Sequence, residues 1–204
     1  MGEKKQMHIL IIKDNIVTYI DPLRFDADGV DTGRFSDPFV NYTNADCVAV
    51  KELPPHMAAG QWTYIDGQLS PLPEYEAATL PVARSGKLAE VNAAYTAAIA
   101  ALTPTYPDDE RFTFDKQEAE ARAWLADNSA PTPFVDALAA GRHMDKAELV
   151  ARIIAKADAF ALASGSLTGQ RQRYEDTLDA AATLADVAAI VPVYALPDLG
   201  GVQE

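Results

Sequence analysis

The fold of this chain is decided by the stretch RSGKLAEVNAAYTAAIAAL, residues 84–102. Its apolar residues recur every three or four positions, which is the period of an amphipathic helix and close to an a/d seam. Alanine fills most positions between them and adds high helix propensity. The pattern predicts a long first helix that Pro104 and Pro107 end. The apolar stripe consists of Leu88, Val91, Tyr95, Ile99 and Leu102.

Helical signals continue downstream almost to the end of the chain. Most of these helices begin after a Thr or Asp residue of the kind that caps a helix N-terminus. Gly141 is expected to end the third helix and Gly165 the fourth, because glycine favours the left-handed C-cap conformation. Short connections predict an antiparallel bundle. The expected helices cover residues 113–127, 133–141, 145–165, 167–181 and a short segment from 183 that stops before Pro192.

The first part of the chain carries strand patterns instead. Two β-branched runs, His8–Ile12 and Ile16–Ile20, flank a turn dipeptide and predict a hairpin. Residues 21–44 are rich in Asp, Gly, Pro and Asn, which is typical of a long loop. Strand character resumes at Cys47–Val50 and ends at the following prolines.

The clearest local signal in this part is the dipeptide Asp66-Gly67, which favours a type I′ turn between two antiparallel strands. Alternation along the first of these strands places Trp62 and Tyr64 on one face and Ile65 on the other. The aromatic pair could fill the core of a small β domain or form a binding face, and both roles remain open. Trp62, Tyr64 and Ile65 are therefore the candidate partner-binding residues.

The two patterns together predict an α+β protein. A small N-terminal antiparallel β domain is expected in residues 1–73, followed by an all-α helical bundle in residues 84–192. Residues 74–83 are expected to form a linker, because the prolines around them stiffen the backbone and oppose the upstream spread of helix. Residues 193–204 are expected to be a loose C-terminal tail.

Composition narrows the classes of partner. The chain has 204 residues, 49% of them hydrophobic and 23% charged, which is typical of a globular protein. Its net charge of −13 argues against binding to nucleic acid or anionic membranes, since both need Lys and Arg. We expect no membrane-spanning helix, because no run reaches ~18 apolar residues. The single cysteine, Cys47, cannot form an intrachain disulfide.

Catalytic and metal signatures are weak throughout. Ser164–Gly169 lacks the Gly-x-Ser-x-Gly pattern of a nucleophile elbow and is better explained as a helix stop followed by a start. The acidic residues Glu118 and Glu120 are expected to lie on a solvated helix face. We therefore expect no enzymatic activity, no cofactor and no metal. The histidines are far apart and lack metal-ligand spacing: His8, His56 and His143.

Two groups of segments resemble tail fibre assembly proteins of bacteriophages and prophages. The helical half also resembles a domain of unknown function found at the C-terminus of such proteins, and it carries the more specific part of the likeness. The segments are Ala59–Gly67 with Leu72-Pro73 in the β half, and Lys87–Tyr95, Tyr106-Pro107, Thr113–Trp124, Pro131–Pro133 and Glu148–Ile154 in the helical half.

The resemblance implies an accessory or structural protein of the phage tail without enzymatic activity. Such proteins bind the distal end of a tail fibre and help it fold and trimerise, and some stay on the finished particle. The implied partner is a tail fibre or another tail protein, and the implied locations are the host bacterial cytoplasm during assembly and the virion tail. We hypothesise that the β half, around Trp62 and Tyr64, contacts the fibre through sheet edges and aromatics.

Other functions remain open beside this one. The chain could be a permanent structural component of the tail, fibre or baseplate that forms a homo-oligomer through its helices. The a/d-like stripe of the first helix suits either a seam between copies or packing within its own bundle. An enzyme acting on cell-surface polymer is a third class. Presence in purified particles at fixed stoichiometry separates the first two functions.

Overall fold

The protein is α+β, as the sequence predicts. A computed structural model describes residues 8–22, 47–103 and 105–197. Predictions about the N-terminal residues, the loop at 23–44, Pro104 and the end of the tail lie outside these ranges. Within them, five strands form one antiparallel sheet in the order β3-β1-β2-β4-β5. The strands are β1 His8–Lys13, β2 Ile16–Pro22, β3 Cys47–Val50, β4 Trp62–Ile65 and β5 Gln68–Pro71.

The predicted hairpin between β1 and β2 is confirmed. Lys13 pairs with Ile16, so the connection is a two-residue turn. Asp14 and Asn15 have φ of 51° and 65°, and a type I′ turn requires positive φ at both of these positions. Asp and Asn tolerate this conformation better than most residues, which is why the dipeptide specifies the turn.

The inner side chains of the sheet form one apolar cluster. Leu10, Val17 and Trp62 are buried at its centre, on three different strands. The alternation of a strand sends neighbouring side chains to opposite faces, so these three residues share one face of the sheet. Partly buried residues surround them: Ile12, Ile20, Val50, Leu53, Met57, Tyr64, Leu69 and Tyr75.

Six helices follow the sheet in the described part of the chain. Four predicted helix starts are confirmed within one residue, at Phe114, Pro133, Lys146 and Leu184. The full set is α1 Pro73–Ala100, α2 Asp108–Arg111, α3 Phe114–Ala126, α4 Pro133–Arg142, α5 Lys146–Ala180 and α6 Leu184–Ala189.

The prediction of a linker at residues 74–83 is wrong, because α1 begins at Pro73 and continues through this segment. Proline suits the first helical position, where its missing N–H group would have no helical partner. Glu74 and Glu76 then place negative charge in the first turn, at the positive end of the helix dipole. This combination is a helix-start signal that outweighs the general proline content of the region.

Pro81 lies inside α1, although an interior proline removes one hydrogen bond and costs about 3 kcal/mol. Pro81 and the alanine one turn earlier are both exposed, so water can hydrate the freed carbonyl group. Contacts on both sides of the proline hold the helix. The Glu76 carboxylate accepts a hydrogen bond from the N–H of Leu184 (2.9 Å), and the Arg84 guanidinium donates to the carbonyl of Ala181.

The predicted break at Gly165 is also wrong, because α5 is a single helix of 35 residues. The segment Ser164–Gly169 therefore lies inside a helix and is not a connection. A glycine in a helix costs about 1 kcal/mol relative to alanine. Ala163 and Leu167, on either side of Gly165, are buried, and this burial outweighs the weak local preference.

The ends of α4 are set by two residues for which other roles were predicted. His143, with φ of 52°, takes the left-handed C-cap position expected of Gly141. The next residue, Met144, donates its N–H to the carbonyl of Ala139 (3.1 Å) and packs in the apolar cluster of the helices, which favours this later end. At the start of α4, the N–H groups of Phe134 and Val135 donate to the Glu120 carboxylate. Glu120 therefore caps a helix and does not lie on a freely solvated face.

The chain divides into two compact units, residues 1–87 with 178–191 and residues 88–177 with 192–204. The first unit contains the sheet, and the second contains an apolar cluster between α3, α4 and α5. This division differs from the domain limits expected from the sequence, because α1 continues across the boundary after residue 87 and α5 continues across the boundary after residue 177. The buried residues of the helical cluster are Ala121, Val135, Ala139, Leu149 and Val150.

Candidate partner-binding surface

The predicted hairpin of β4 and β5 is confirmed and has a tightly specified turn. Asp66 and Gly67 have φ of 51° and 83°, as a type I′ turn requires. Four residue pairs join the two strands, from Ile65 with Gln68 at the turn to Trp62 with Pro71. The Thr63 hydroxyl adds a side-chain bond to the carbonyl of Ser70 at 3.2 Å.

The hairpin is attached to the rest of the sheet through β2. Thr63 pairs with Ile16, and the N–H of Tyr64 donates to the carbonyl of Asn15 at 2.8 Å. Just before β4, the N–H of Gly60 donates to the carbonyl of Val17 at 2.7 Å. These bonds fix the position of β4 in the sheet, so the side chains on it have defined directions.

Trp62 belongs to the core of the sheet. The residue is 4% exposed, and its side chain packs with Leu10 and Val17. Within the described residues, the indole Nε1 has no hydrogen-bond partner. Of the two roles that the sequence left open for the aromatic pair, core packing describes Trp62. The residue supports the hairpin from inside, and a partner meeting the folded protein would not reach the ring.

Tyr64 and Ile65 are the accessible members of the predicted trio. Tyr64 is half-buried and packs at the margin of the sheet cluster, whereas Ile65 is 49% exposed. Successive residues of a strand point to opposite faces, so Ile65 lies on the face away from Trp62. The structure thus brings the three residues together on one strand but leaves only two of them within reach of a partner.

The outer edge of β5 is short. The two-residue turn makes Ile65 and Gln68 a hydrogen-bonded pair, so the backbone of Leu69 faces away from β4. Pro71 also faces outward and has no N–H group to offer. The edge therefore presents one N–H group, at Leu69, before proline interrupts it. Such an edge can contact a partner but resists continuous strand addition.

The residues considered for catalysis or metal binding lie in a strand, in helices and in connecting segments. His56 and His143 have positive φ of 62° and 52° in connecting segments, and His8 begins β1. Glu118 forms an exposed ion pair with Arg122 (2.8 Å), and this bond helps to raise the pKa of Arg122, after the larger effect of its bond to Asp158. In the described ranges, no group of three or more His, Cys, Asp or Glu residues is placed to hold a metal ion.

A second cluster includes Tyr194, which lies in the segment 193–204 that was expected to be a loose tail. Tyr194 lies between the rings of Tyr95 and Tyr174, at centroid distances of 6.0 and 5.7 Å. Burial raises the pKa of the Tyr194 phenol, with Tyr174 and Tyr95 acting in the same direction and Arg171 against them. No local pattern marks this cluster, because its members come from α1, α5 and the segment after α6.

Comparison with known proteins gives one partial likeness. Residues 155–193 are similar to a family described as the HI1402 helical domain. The matched segment covers most of α5, α6 and the residues just beyond, which is less than a fifth of the 204 residues. No curated protein and no solved structure matches the chain. In the part of the chain that the structure describes, no helix has both the length and the hydropathy needed to cross a membrane.

Proposed function

We propose that this protein is a phage tail fibre assembly protein that binds the tail fibre and assists its folding, trimerisation or attachment. It acts by contact between polypeptides and not by catalysis, in the host bacterial cytoplasm while the fibre is being assembled. The proposal rests on the resemblance of the two groups of sequence segments to such proteins. The structural observation that carries it is the exposure of Ile65 on a hairpin whose base is locked into the core by Trp62.

The geometry of the hairpin supports this role in two ways. The turn at Asp66-Gly67 and the bond from Tyr64 to Asn15 hold the strand in place, so little conformational entropy is lost when a partner binds. The interrupted edge at Pro71 limits strand pairing between copies of the protein, so the hairpin remains available to another polypeptide. Ile65 offers the apolar contact on the outer face of the strand, and Tyr64 flanks it at the margin of the inner face.

The proposal is tested by co-purification with the tail fibre encoded beside the gene of this protein. We expect the tagged wild-type protein to retain the fibre, and Ile65→Asp to reduce the retained amount severalfold, because a charge would be buried in the contact. The matched control is Leu162→Asp, which places the same charge at a residue with 58% exposure on α5, away from the hairpin in sequence. The control should retain the fibre as the wild type does.

Circular dichroism of each variant establishes that it is folded. Equal retention of the fibre by wild type, Ile65→Asp and Tyr64→Ala would exclude the hairpin as the contact surface. If the wild-type protein does not retain the fibre at all, that result would count against the proposed function itself. Fixed stoichiometry in purified particles would instead identify a permanent component of the tail.

A further inference from the structure

Side chains of α5 hold the segment after α6 through hydrogen bonds to its backbone. Residues 192–197, here called the C-terminal arm, form neither helix nor strand and belong to the second unit. The Tyr174 hydroxyl donates to the carbonyl of Val193 and accepts from its N–H, both at 3.0 Å. The Gln170 side-chain amide donates to the carbonyl of Ala195 at 2.7 Å and accepts from its N–H at 3.0 Å. Two side chains of α5 thus satisfy the backbone of two arm residues.

The spacing of these contacts fits any extended peptide. Gln170 and Tyr174 are four residues apart and lie on one face of α5, separated by a rise of about 6 Å. Alternate residues of an extended chain are about 6.6 Å apart, so Val193 and Ala195 meet the two side chains in register. Val193 is 67% exposed and Leu196 is 55% exposed, so the side chain of neither residue contributes much to recognition.

The residue between the two backbone contacts is recognised by its side chain. Tyr194 packs against the rings of Tyr95 and Tyr174 and donates its hydroxyl to the carbonyl of Val91 at 3.1 Å. The Tyr95 hydroxyl is 3.0 Å from the Thr168 hydroxyl, which fixes the orientation of the Tyr95 ring. An aromatic pocket that ends in a backbone carbonyl, which accepts a hydrogen bond from a hydroxyl group, selects tyrosine over other residues.

We infer that the surface under the C-terminal arm, here called the groove, is a binding site for an extended polypeptide segment with a tyrosine at its centre. The groove is formed by Val91, Tyr95, Gln170 and Tyr174. The two neighbours of that tyrosine must not be proline, since both contribute an N–H group to the contacts, but their side chains are otherwise free. The C-terminal arm occupies the groove as an intramolecular ligand, and a partner segment of the same chemistry displaces it. This inference uses none of the hairpin residues, so it stands or fails apart from the proposed function.

The test uses the full chain with the arm weakened. The probe is a fluorescent peptide with the sequence PVYALP, which is that of residues 192–197. We expect Tyr194→Ala to bind this peptide, measured by fluorescence anisotropy. The wild type should bind at least about tenfold more weakly, because its own arm competes at an effective concentration of about millimolar. A peptide with alanine in place of tyrosine should lose at least about tenfold in affinity for the variant.

A second comparison identifies the groove. Adding Gln170→Ala and Tyr174→Phe to Tyr194→Ala should abolish peptide binding, because both backbone contacts depend on those side chains. If Tyr194→Ala does not fold, Val193→Pro opens the arm instead by removing the N–H that donates to Tyr174. The inference is overturned if the folded, opened variant does not bind the peptide at about millimolar concentration, or if it binds the alanine peptide equally well.

Discussion

Replacement of Glu120 by alanine tests the helical packing most sharply. The Glu120 carboxylate accepts hydrogen bonds from the N–H groups of Phe134 (2.9 Å) and Val135 (3.0 Å) at the start of α4. These groups are among the first four N–H groups of the helix, which have no partner within it. Glu120→Ala removes their acceptor and also removes a negative charge from the positive end of the helix dipole.

The expected loss follows from these contacts. Loss of a helix cap costs about 1 kcal/mol, and the dipole interaction contributes about 0.3–1 kcal/mol. Because two N–H groups lose their acceptor, we expect Glu120→Ala to lower the free energy of unfolding by about 2 kcal/mol. The matched control is Glu118→Ala, two residues earlier on α3. It breaks an ion pair between exposed side chains and should cost much less.

Urea unfolding followed by tryptophan fluorescence measures this difference. The chain has two tryptophans, so in a Trp62→Phe background Trp124, which packs against the helical cluster, is the single reporter. With a slope of about 2 kcal/mol per molar urea, Glu120→Ala should lower the midpoint by about 1 M. Equal midpoints for Glu120→Ala and Glu118→Ala would refute the capping role.

Three further predictions concern the sheet, a helix cap and the continuity of α5. Trp62→Ala should lower the free energy of unfolding by about 3–5 kcal/mol, measured by urea unfolding followed by near-UV circular dichroism. Trp62→Phe should cost far less, because it keeps an aromatic ring in the core and removes a buried N–H group that has no partner. Equal costs for the two variants would contradict this prediction. Hydrogen bonds from Thr183 and Ala182 lower the pKa of Asp186 below its usual 3.8, so the stability they provide is present above that pH and is lost as the pH falls through the lowered pKa. The wild type should therefore melt at a higher temperature than Asp186→Asn at pH 7, and this difference should shrink below about pH 4. A difference that grows in acid would contradict the capping role of Asp186. Gly165→Ala should stabilise the protein by about 0.5–1 kcal/mol in thermal unfolding, because a Cβ there meets nothing within 4 Å, and destabilisation would indicate a break in the helix.

Local chemistry explains which parts of the fold the sequence predicts well. Both hairpins follow from two-residue turns that need positive φ, and Asp14-Asn15 and Asp66-Gly67 supply it. The capping box of Thr183 and Asp186 is likewise contained within four residues, and the helix it predicts is present. In each case one short contact decides the conformation, so the residues that make it are visible in the sequence.

The mistaken predictions came from treating local preferences as decisive. A proline or glycine inside a helix costs about 1–3 kcal/mol, and contacts distant in sequence can outweigh that cost. The bond from Arg84 to Ala181 supports the helix around Pro81, and burial of Leu167 supports it around Gly165. The start of α1 is different, because Pro73 followed by Glu74 and Glu76 is a local pattern that itself predicts a helix N-terminus.

The proposed binding surfaces could be predicted only in part from the sequence. Alternation along β4 correctly places Trp62 and Tyr64 on one face, but burial of Trp62 depends on the strands packed around it. The contacts of Gln170 and Tyr174 with the C-terminal arm join residues 19–25 positions apart in the chain. No period or motif in the sequence marks such a contact, because it depends on how the segment after α6 returns to α5.

The proposed function is tested most directly by the yield of soluble, trimeric tail fibre when the fibre is expressed with and without this protein. Size-exclusion chromatography with light scattering identifies the trimer and separates it from monomer and aggregate. We predict a severalfold higher trimer yield in the presence of the wild-type chain, and a smaller gain with Ile65→Asp. An unchanged yield of trimer, with the protein well expressed and folded, would contradict a role in fibre assembly.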